Sequence, residues 1–264
     1  MNLKLGDKGT NVKDLQTKLG LDDNDGIFGN DTKSAVIAWQ QNNSLPQTGI
    51  VDDKMWSLLF PQQPADESLL TQALKDELGD TVTKQLIEAM QKFPITNKYR
   101  IAHLLAQCAH ESMNFTHTAE NMNYNADALR SIFKVDSVTA SRIAHNPQAI
   151  ANTVYANHYG NGGPETNDGW NFRGKGYLGT TFKANYIALR DHTGIDVVSN
   201  PDLVTTDLAM ISGAFYFDNH HLWSICDKGI SRDIAIKVTT PINAKCLGLE
   251  ERIKYLNKFY NLLQ

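Results

Sequence analysis

Residues 97–124 read NKYRIAHLLAQCAHESMNFTHTAENMNY, and the first half of this stretch is a helix by its spacing. Ile101, Leu104, Leu105, Cys108 and Ala109 recur at i, i+3, i+4, i+7 and i+8, the pattern of one apolar helix face. With about 100° of rotation per residue, Glu111 falls about 80° from the centre of that face, above Gln107 and Leu104. A carboxyl at the rim of an apolar face and the C-terminal end of a helix keeps a proton more readily, as a general acid must. Glu120 follows in the same stretch. On one unbroken helix the two carboxylates would be ~13 Å apart on opposite faces, too far to flank one bond. Ser112, Met113, Asn114 and Thr116 are residues at which the chain can turn, and a fold-back would set Glu111 opposite Glu120. Two carboxylates about 6.5–9.5 Å apart, with a water between them, are the apparatus of an inverting glycosidase.

Downstream, residues 155–186 read YANHYGNGGPETNDGWNFRGKGYLGTTFKANY, dense in glycine, asparagine and aromatics. Gly160, Gly162, Gly163, Gly169, Gly174 and Gly176 permit close backbone approach to a ligand. Trp170, Phe172 and Tyr177 offer rings, and amides beside aromatic faces suit a carbohydrate. Gly174-Lys175-Gly176 does not have the spacing of a phosphate-binding loop. At the C-terminus, Ile253, Leu256, Phe259, Tyr260 and Leu263 recur at helical spacing with few positive charges, which predicts a core-packed final helix over a membrane-active tail.

Upstream, three short helix signatures occupy residues 1–60. Val12, Leu15 and Leu19 mark the first. Ala35, Val36, Ala38 and Trp39 mark the second, after the turn Asp25-Gly26-Ile27-Phe28-Gly29. Met55, Trp56, Leu58 and Leu59 mark the third, after a similar turn, Thr48-Gly49-Ile50-Val51-Asp52. Helices this short are marginal alone, so the three are expected to pack together, with Phe28, Trp39 and Trp56 as core aromatics. The loop Asp22–Gly26 is not a calcium loop: with Gly26 at position 6, Leu21 and Thr32 stand where carboxylates are required. Two prolines and polar neighbours at 61–68 read as a linker. Helical spacing restarts at Leu69, and period-2 alternation is scarce from there to Gln264. The expected fold is therefore mainly α: a small three-helix domain at 1–60 and a larger helical domain at 69–264 with little β.

The 264 residues carry 25 Lys+Arg against 29 Asp+Glu, a net charge of −4, with 41% hydrophobic and 20% charged residues. A core can be buried, and a mildly acidic chain argues against nucleic acid as a partner. No apolar run is long enough for stable membrane insertion, and the N-terminal residues lack the apolar stretch of a secretory signal, so synthesis is expected in the cytoplasm. Cys108, Cys226 and Cys246 form no Cys-x-x-Cys pair and are expected as reduced thiols. His110-Glu111-Ser112-Met113-Asn114 lacks the second histidine of a zinc protease motif, and no Gly-x-Ser-x-Gly occurs. No metal and no cofactor are expected.

Residues 1–60 resemble the peptidoglycan-binding domain type 1 family, carried by the Asp-Gly-x-Phe-Gly-x-x-Thr-x-x-Ala-Val pattern. The larger part resembles glycoside hydrolase family 19, with its chitinase-like or lysozyme-like fold, and particularly the phage endolysin branch. The residues that carry this are AHES at 109–112, ENMNY at 120–124, DGWNFRGKG at 168–176, KANY at 183–186 and PIN with GLEER within 241–252. The resemblance implies Glu111 as general acid, Glu120 as general base and Thr181 as the hydroxyl that helps hold the water. It implies Tyr124, Trp170, Lys175, Asn185 and Asn243 at the sugar, and Arg252 as a structural or site arginine. Gly179 replaces the usual glutamine, Ala244-Lys245 replaces Gly-Gly, and Lys175 replaces an arginine, so chitin is not assumed. The implied activity is hydrolysis of the β-1,4 glycan of bacterial peptidoglycan by a monomer, acting on the host wall after release by a separate holin-type protein. A chitinase and a non-catalytic wall-binding protein are the alternatives.

Overall fold

In the computed structural model the described residues are 2–60 and 64–264. They divide into two compact units, residues 2–60 with 190–195, and residues 64–189 with 196–264. The fold is mainly helical, and among the described residues β pairing is confined to isolated bridges.

The first unit holds α1 (Thr10–Lys18), α2 (Asn30–Asn42) and α3 (Asp53–Leu59). Val12, Leu15, Phe28, Val36, Val51, Met55 and Leu59 form its buried core, with Trp39 and Trp56 half-buried against it. The two similar turns are clamped by equivalent glutamines. Gln16 of α1 donates to Asp25 Oδ1 and the Ile27 carbonyl, both at 3.0 Å, and accepts from Gly26 N at 2.8 Å. Gln40 of α2 repeats this on Thr48 Oγ1 (3.1 Å), the Ile50 carbonyl (2.8 Å) and Gly49 N (3.0 Å). Each buried amide thus satisfies backbone groups that the turn would otherwise strand.

Of the expected linker, Pro61, Gln62 and Gln63 lie outside the described residues. Its last two residues already belong to a 3-10 turn, Glu67–Leu69, with Asp66 accepting from Ser68 N at 3.2 Å. Leu70 is buried behind it.

The second unit comprises α4 (Gln72–Lys92), α5 (Lys98–Glu111), α6 (Ala126–Ile132), α7 (Ser137–Ile143), α8 (Pro147–Val154), α9 (Asp168–Asn171), α10 (Lys183–Thr193) as far as Leu189, α11 (Ala209–Asn219), α12 (Trp223–Cys226), α13 (Arg232–Ile242) and α14 (Leu249–Leu262). Helix α5 is its axis. Asn97 caps it, accepting from Tyr99 N and Arg100 N at 3.0 and 3.1 Å, a bond worth about 1 kcal/mol. The spacing of α5 suggests one apolar face, yet every residue from Ile101 to Ala109 is buried. The reason is tertiary: α11, α12, α13 and α14 all pack on it. Its polar residues find internal partners, His103 Nε2 at 2.9 Å from the Gly229 carbonyl and Gln107 Nε2 at 3.0 Å from Thr239 Oγ1. The final helix α14 packs on α5 through buried Leu256 and Phe259, as its spacing predicts. A second, smaller core gathers Met122, Leu129, Ala140, Ile143, Ile150 and Ala151 from the segment before α6 and from α6, α7 and α8. Cys108 and Cys226 are buried free thiols, their pKa pushed up by burial.

Candidate active site

Helix α5 ends at Glu111 because the next four residues reverse the chain. Ser112 Oγ donates back to the Cys108 carbonyl at 2.6 Å and accepts from Phe115 N at 2.9 Å. Met113, Asn114 and Phe115 then adopt left-handed φ values of 49°, 56° and 65°. Each such residue without glycine costs roughly 1–2 kcal/mol. Packing over-determines the turn: the Phe115 ring stands edge-on to Tyr177 at 5.2 Å and meets Phe259 at 6.2 Å. The turn closes with His117 N donating to the Ser112 carbonyl at 2.9 Å. Ser112, Met113, Asn114 and Thr116 are thus the turning residues that the sequence pointed to.

Beyond the turn the chain runs beside residues 174–176. Gly176 N donates to the Thr118 carbonyl at 2.9 Å and Glu120 N to the Gly174 carbonyl at 2.8 Å. Residues 175–180 form a small hairpin, with Lys175 and Thr180 exchanging backbone bonds of 3.0 and 2.7 Å. Thr181 follows directly, so the hairpin carries it toward Glu120.

The two carboxylates have different partners. Glu111, whose side chain is 33% exposed, accepts through Oε1 from the buried guanidinium of Arg252. Arg252 also donates to Gln107 Oε1 and, through Nε, to the Leu247 carbonyl at 3.3 Å. Gln107 and Glu111 lie one turn apart on α5, so one guanidinium fixes both. Tyr216, anchored to the Pro241 carbonyl at 2.6 Å, feels the charge of Glu111; burial foremost, and then that charge, raises its pKa.

Glu120 is held by a hydroxyl: Tyr155 Oη is 2.8 Å from both Oε1 and Oε2. Burial, then the charge of Glu120, pushes the Tyr155 pKa well up, so the phenol stays a donor. Gly174 lies between Glu120 and Thr181. A methyl group built there would sit 3.3 Å from Thr181 Oγ1 and 3.4 Å from Glu120 Oε2. The Thr181 hydroxyl donates to the Gly179 carbonyl at 2.7 Å, which leaves its lone pairs to accept.

Over 168 residues the chain is 34% identical to a glycosyl hydrolase family 19 domain-containing protein of Haemophilus influenzae, matching 62% of this chain and 80% of that one. The chain belongs to glycosyl hydrolase family 19. It is a glycoside hydrolase. Residues 8–59 of this family 19 enzyme match the peptidoglycan binding domain family. Among solved structures it is similar to chitinase C from Streptomyces griseus (19% identity, 81% of this chain, 92% of that chain, TM-score 0.41). It is also similar to a Burkholderia AP3 phage endolysin (16% identity, 99% of this chain, 100% of that chain, TM-score 0.23).

The remaining expected site residues of the family 19 enzyme fall into two groups. Tyr124 stands near Glu120, whose charge adds to burial in raising its pKa, and packs edge-on against Phe133 at 5.1 Å. Asn185 is exposed and donates to the Thr181 carbonyl at 2.7 Å. Trp170 is half-buried, and the Arg173 guanidinium lies 3.6 Å over its ring. Asn243 ends α13, and its Oδ1 accepts from Lys245 N and Leu247 N at 3.2 and 3.3 Å, shaping the loop that presents the Leu247 carbonyl to Arg252. Lys175 requires correction. Its side chain is 1% exposed and bound to Asp202 Oδ1 at 2.7 Å, so it braces the hairpin from inside and presents nothing to a ligand. Phe172 and Tyr177 are likewise core residues, each 3% exposed. Gly169 and Gly176 back onto Ala151 and Ser212 instead of opening to a ligand.

Sequence reasoning passed over Tyr155 and Tyr216 entirely. Tyr155 is the first residue of the glycine-rich stretch, and that position was the one available signal. Tyr216 lies in an apolar run with no signal at all.

Proposed function

We propose that this family 19 enzyme hydrolyses the β-1,4 glycan of bacterial peptidoglycan by single displacement, with inversion at the anomeric carbon. The observation that carries the reading is the separate handling of the two carboxylates. Glu111 engages Arg252 through Oε1, and its Oε2 takes up a proton from solvent, which the one-third exposure of the side chain admits, and passes it to the leaving glycosidic oxygen. Glu120, steadied through both oxygens by Tyr155, takes the proton from a water. Thr181, whose own proton is committed to Gly179, accepts that water's second hydrogen and aims its lone pair at the anomeric carbon. Gly174 leaves the space between them open. The match at residues 8–59 supports peptidoglycan as the polymer, and a wall-binding unit tethered to a glycosidase raises the local concentration of substrate. This pairing suits a lysis enzyme acting on a host wall.

Glu111→Gln tests the assignment, because an amide cannot donate the proton. The variant should still unfold in one cooperative transition, at a lower midpoint because the buried Arg252 loses its anion, and lose nearly all turnover of purified peptidoglycan. Proton NMR of fresh digests should show the inverted anomer, and mass spectrometry of the reducing ends gives the bond cut. Retained configuration, or a covalent adduct on Glu120, would make Glu120 a nucleophile and overturn the mechanism. Faster cleavage of chitin than of peptidoglycan would move the substrate assignment to chitin.

A further inference from the structure

The glycine-rich stretch was expected to supply aromatic faces, yet Phe172 and Tyr177 are buried and Trp170 is covered by Arg173. The ring this stretch does expose is Tyr159, at 72%. A solitary exposed apolar residue needs no explanation, but the backbone that carries Tyr159 is held in place. Its φ is 42°, in the left-handed region, as is that of Asn157 at 58°. Its carbonyl accepts from Ala184 N at 3.0 Å, and Gly160 packs so closely on Ala184 that a methyl group there would sit 3.3 Å from Ala184 N. Asn161 ties the loop to the Tyr155 carbonyl and to Lys183 N, both at 2.9 Å, and Gly162 N is held by Asp168 at 2.9 Å. Strained backbone of this kind persists where surrounding contacts over-determine it, and such places cluster at functional sites.

The Tyr159 ring also rests on a continuous aromatic path to the site. Its centroid is 4.8 Å from that of Phe182, and Phe182 stands edge-on to Tyr155 at 5.3 Å. Tyr155 in turn holds both oxygens of Glu120. An exposed phenol on a fixed backbone, resting on Phe182, gives a flat apolar face and a polar tip at reduced entropic cost to binding.

We propose that Tyr159 is a stacking platform for a pyranose ring, forming a glycan subsite on the Glu120 side of the site. This rests on the glycosidase reading above. The apolar C–H face of a β-linked sugar lies on the ring, and the path through Phe182 and Tyr155 keeps that subsite in register with the base. The ring makes this subsite one of binding and specificity, with no part in proton transfer.

The test uses the full chain carrying Glu111→Gln and a soluble β-1,4-linked N-acetylglucosamine hexamer, titrated by calorimetry. Adding Tyr159→Ala should weaken binding about five- to tenfold, the scale of one aromatic contact. Tyr159→Phe should bind within about twofold of the parent, since the ring remains. Equal binding by Tyr159→Ala, equal weakening by Tyr159→Phe, or no binding by the parent would each overturn the proposal. Should Tyr159→Ala fold poorly, tyrosine ring NMR of the parent decides: the Tyr159 signals must shift with hexamer, and their silence refutes the subsite. If Glu111→Gln still cleaves the hexamer, the catalytic assignment fails while Tyr159 is still judged by binding.

Discussion

The hydroxyl of Tyr155 lies 2.8 Å from both carboxylate oxygens of Glu120. One donor shared between two acceptors fixes the plane of the carboxylate without removing either oxygen from use. Tyr155→Phe keeps the ring's contact with Phe182 and removes that bond alone. A hydrogen bond to a charged group contributes about 1.5–3 kcal/mol, so kcat should fall roughly ten- to a hundredfold with KM little changed. Steady-state kinetics on soluble glycan reads this. A change in KM alone would mean that Tyr155 serves binding.

Gly174→Ala probes the space between Glu120 and Thr181. The added methyl would come within 3.3–3.4 Å of both side chains, so one must give by a few tenths of an ångström. Displacements of this size at a reacting centre are costly. We expect a large loss of kcat at an unchanged melting temperature. Full activity would show that the water is not held there. Thr181→Ala should cost less, about 1–2 kcal/mol of barrier, the scale of one neutral hydrogen bond.

Arg252→Met tests the buried guanidinium. It would strand the buried Gln107 Oε1 and leave Glu111 without its cation. Glu111 keeps access to water, so most of the penalty falls on Gln107. A destabilisation of about 2–4 kcal/mol is expected in denaturant unfolding, together with loss of activity.

Stability should decline as pH falls below about 6.5 because of His103. Its side chain is wholly buried, and burial depresses its pKa, although the Gly229 carbonyl opposes the shift. Unfolding releases a histidine that takes up a proton below about 6.5, while the folded chain does not, so protonation favours the unfolded state. His103→Gln can still donate to Gly229 and should flatten the slope of melting temperature between pH 6.5 and pH 5. Asp227, whose pKa the Arg100 guanidinium lowers, adds a separate loss only at more acid pH. An unchanged slope in the variant would assign the pH dependence to other groups.

Residues 64–264 should fold alone, because, residues 190–195 of the first unit apart, the cores of the two units draw on different side chains. The fragment should cleave soluble glycan at the parent's rate and lose most activity on insoluble wall. Circular dichroism and a turbidity assay check both halves of this expectation.

The helical character of the chain was legible in its spacing, and so were the three N-terminal helices and the turn after Glu111; Glu111 and Glu120 stood out there as candidates. Helix periodicity, caps and turning residues are local, so neighbouring residues carry their signal. Spacing alone did not reveal that α5 is buried on every side, that Lys175 points inward to Asp202, or that Tyr159 and not Phe172 or Tyr177 is the exposed ring. Nor could it pair Glu111 with Arg252, 141 residues away, or Glu120 with Tyr155, 35 residues away. Those pairings arise when α14 closes on α5 and when Met122 and α8 share one core, which brings Tyr155 to Glu120. Burial and partnership depend on which elements meet in space, and local pattern does not encode that meeting.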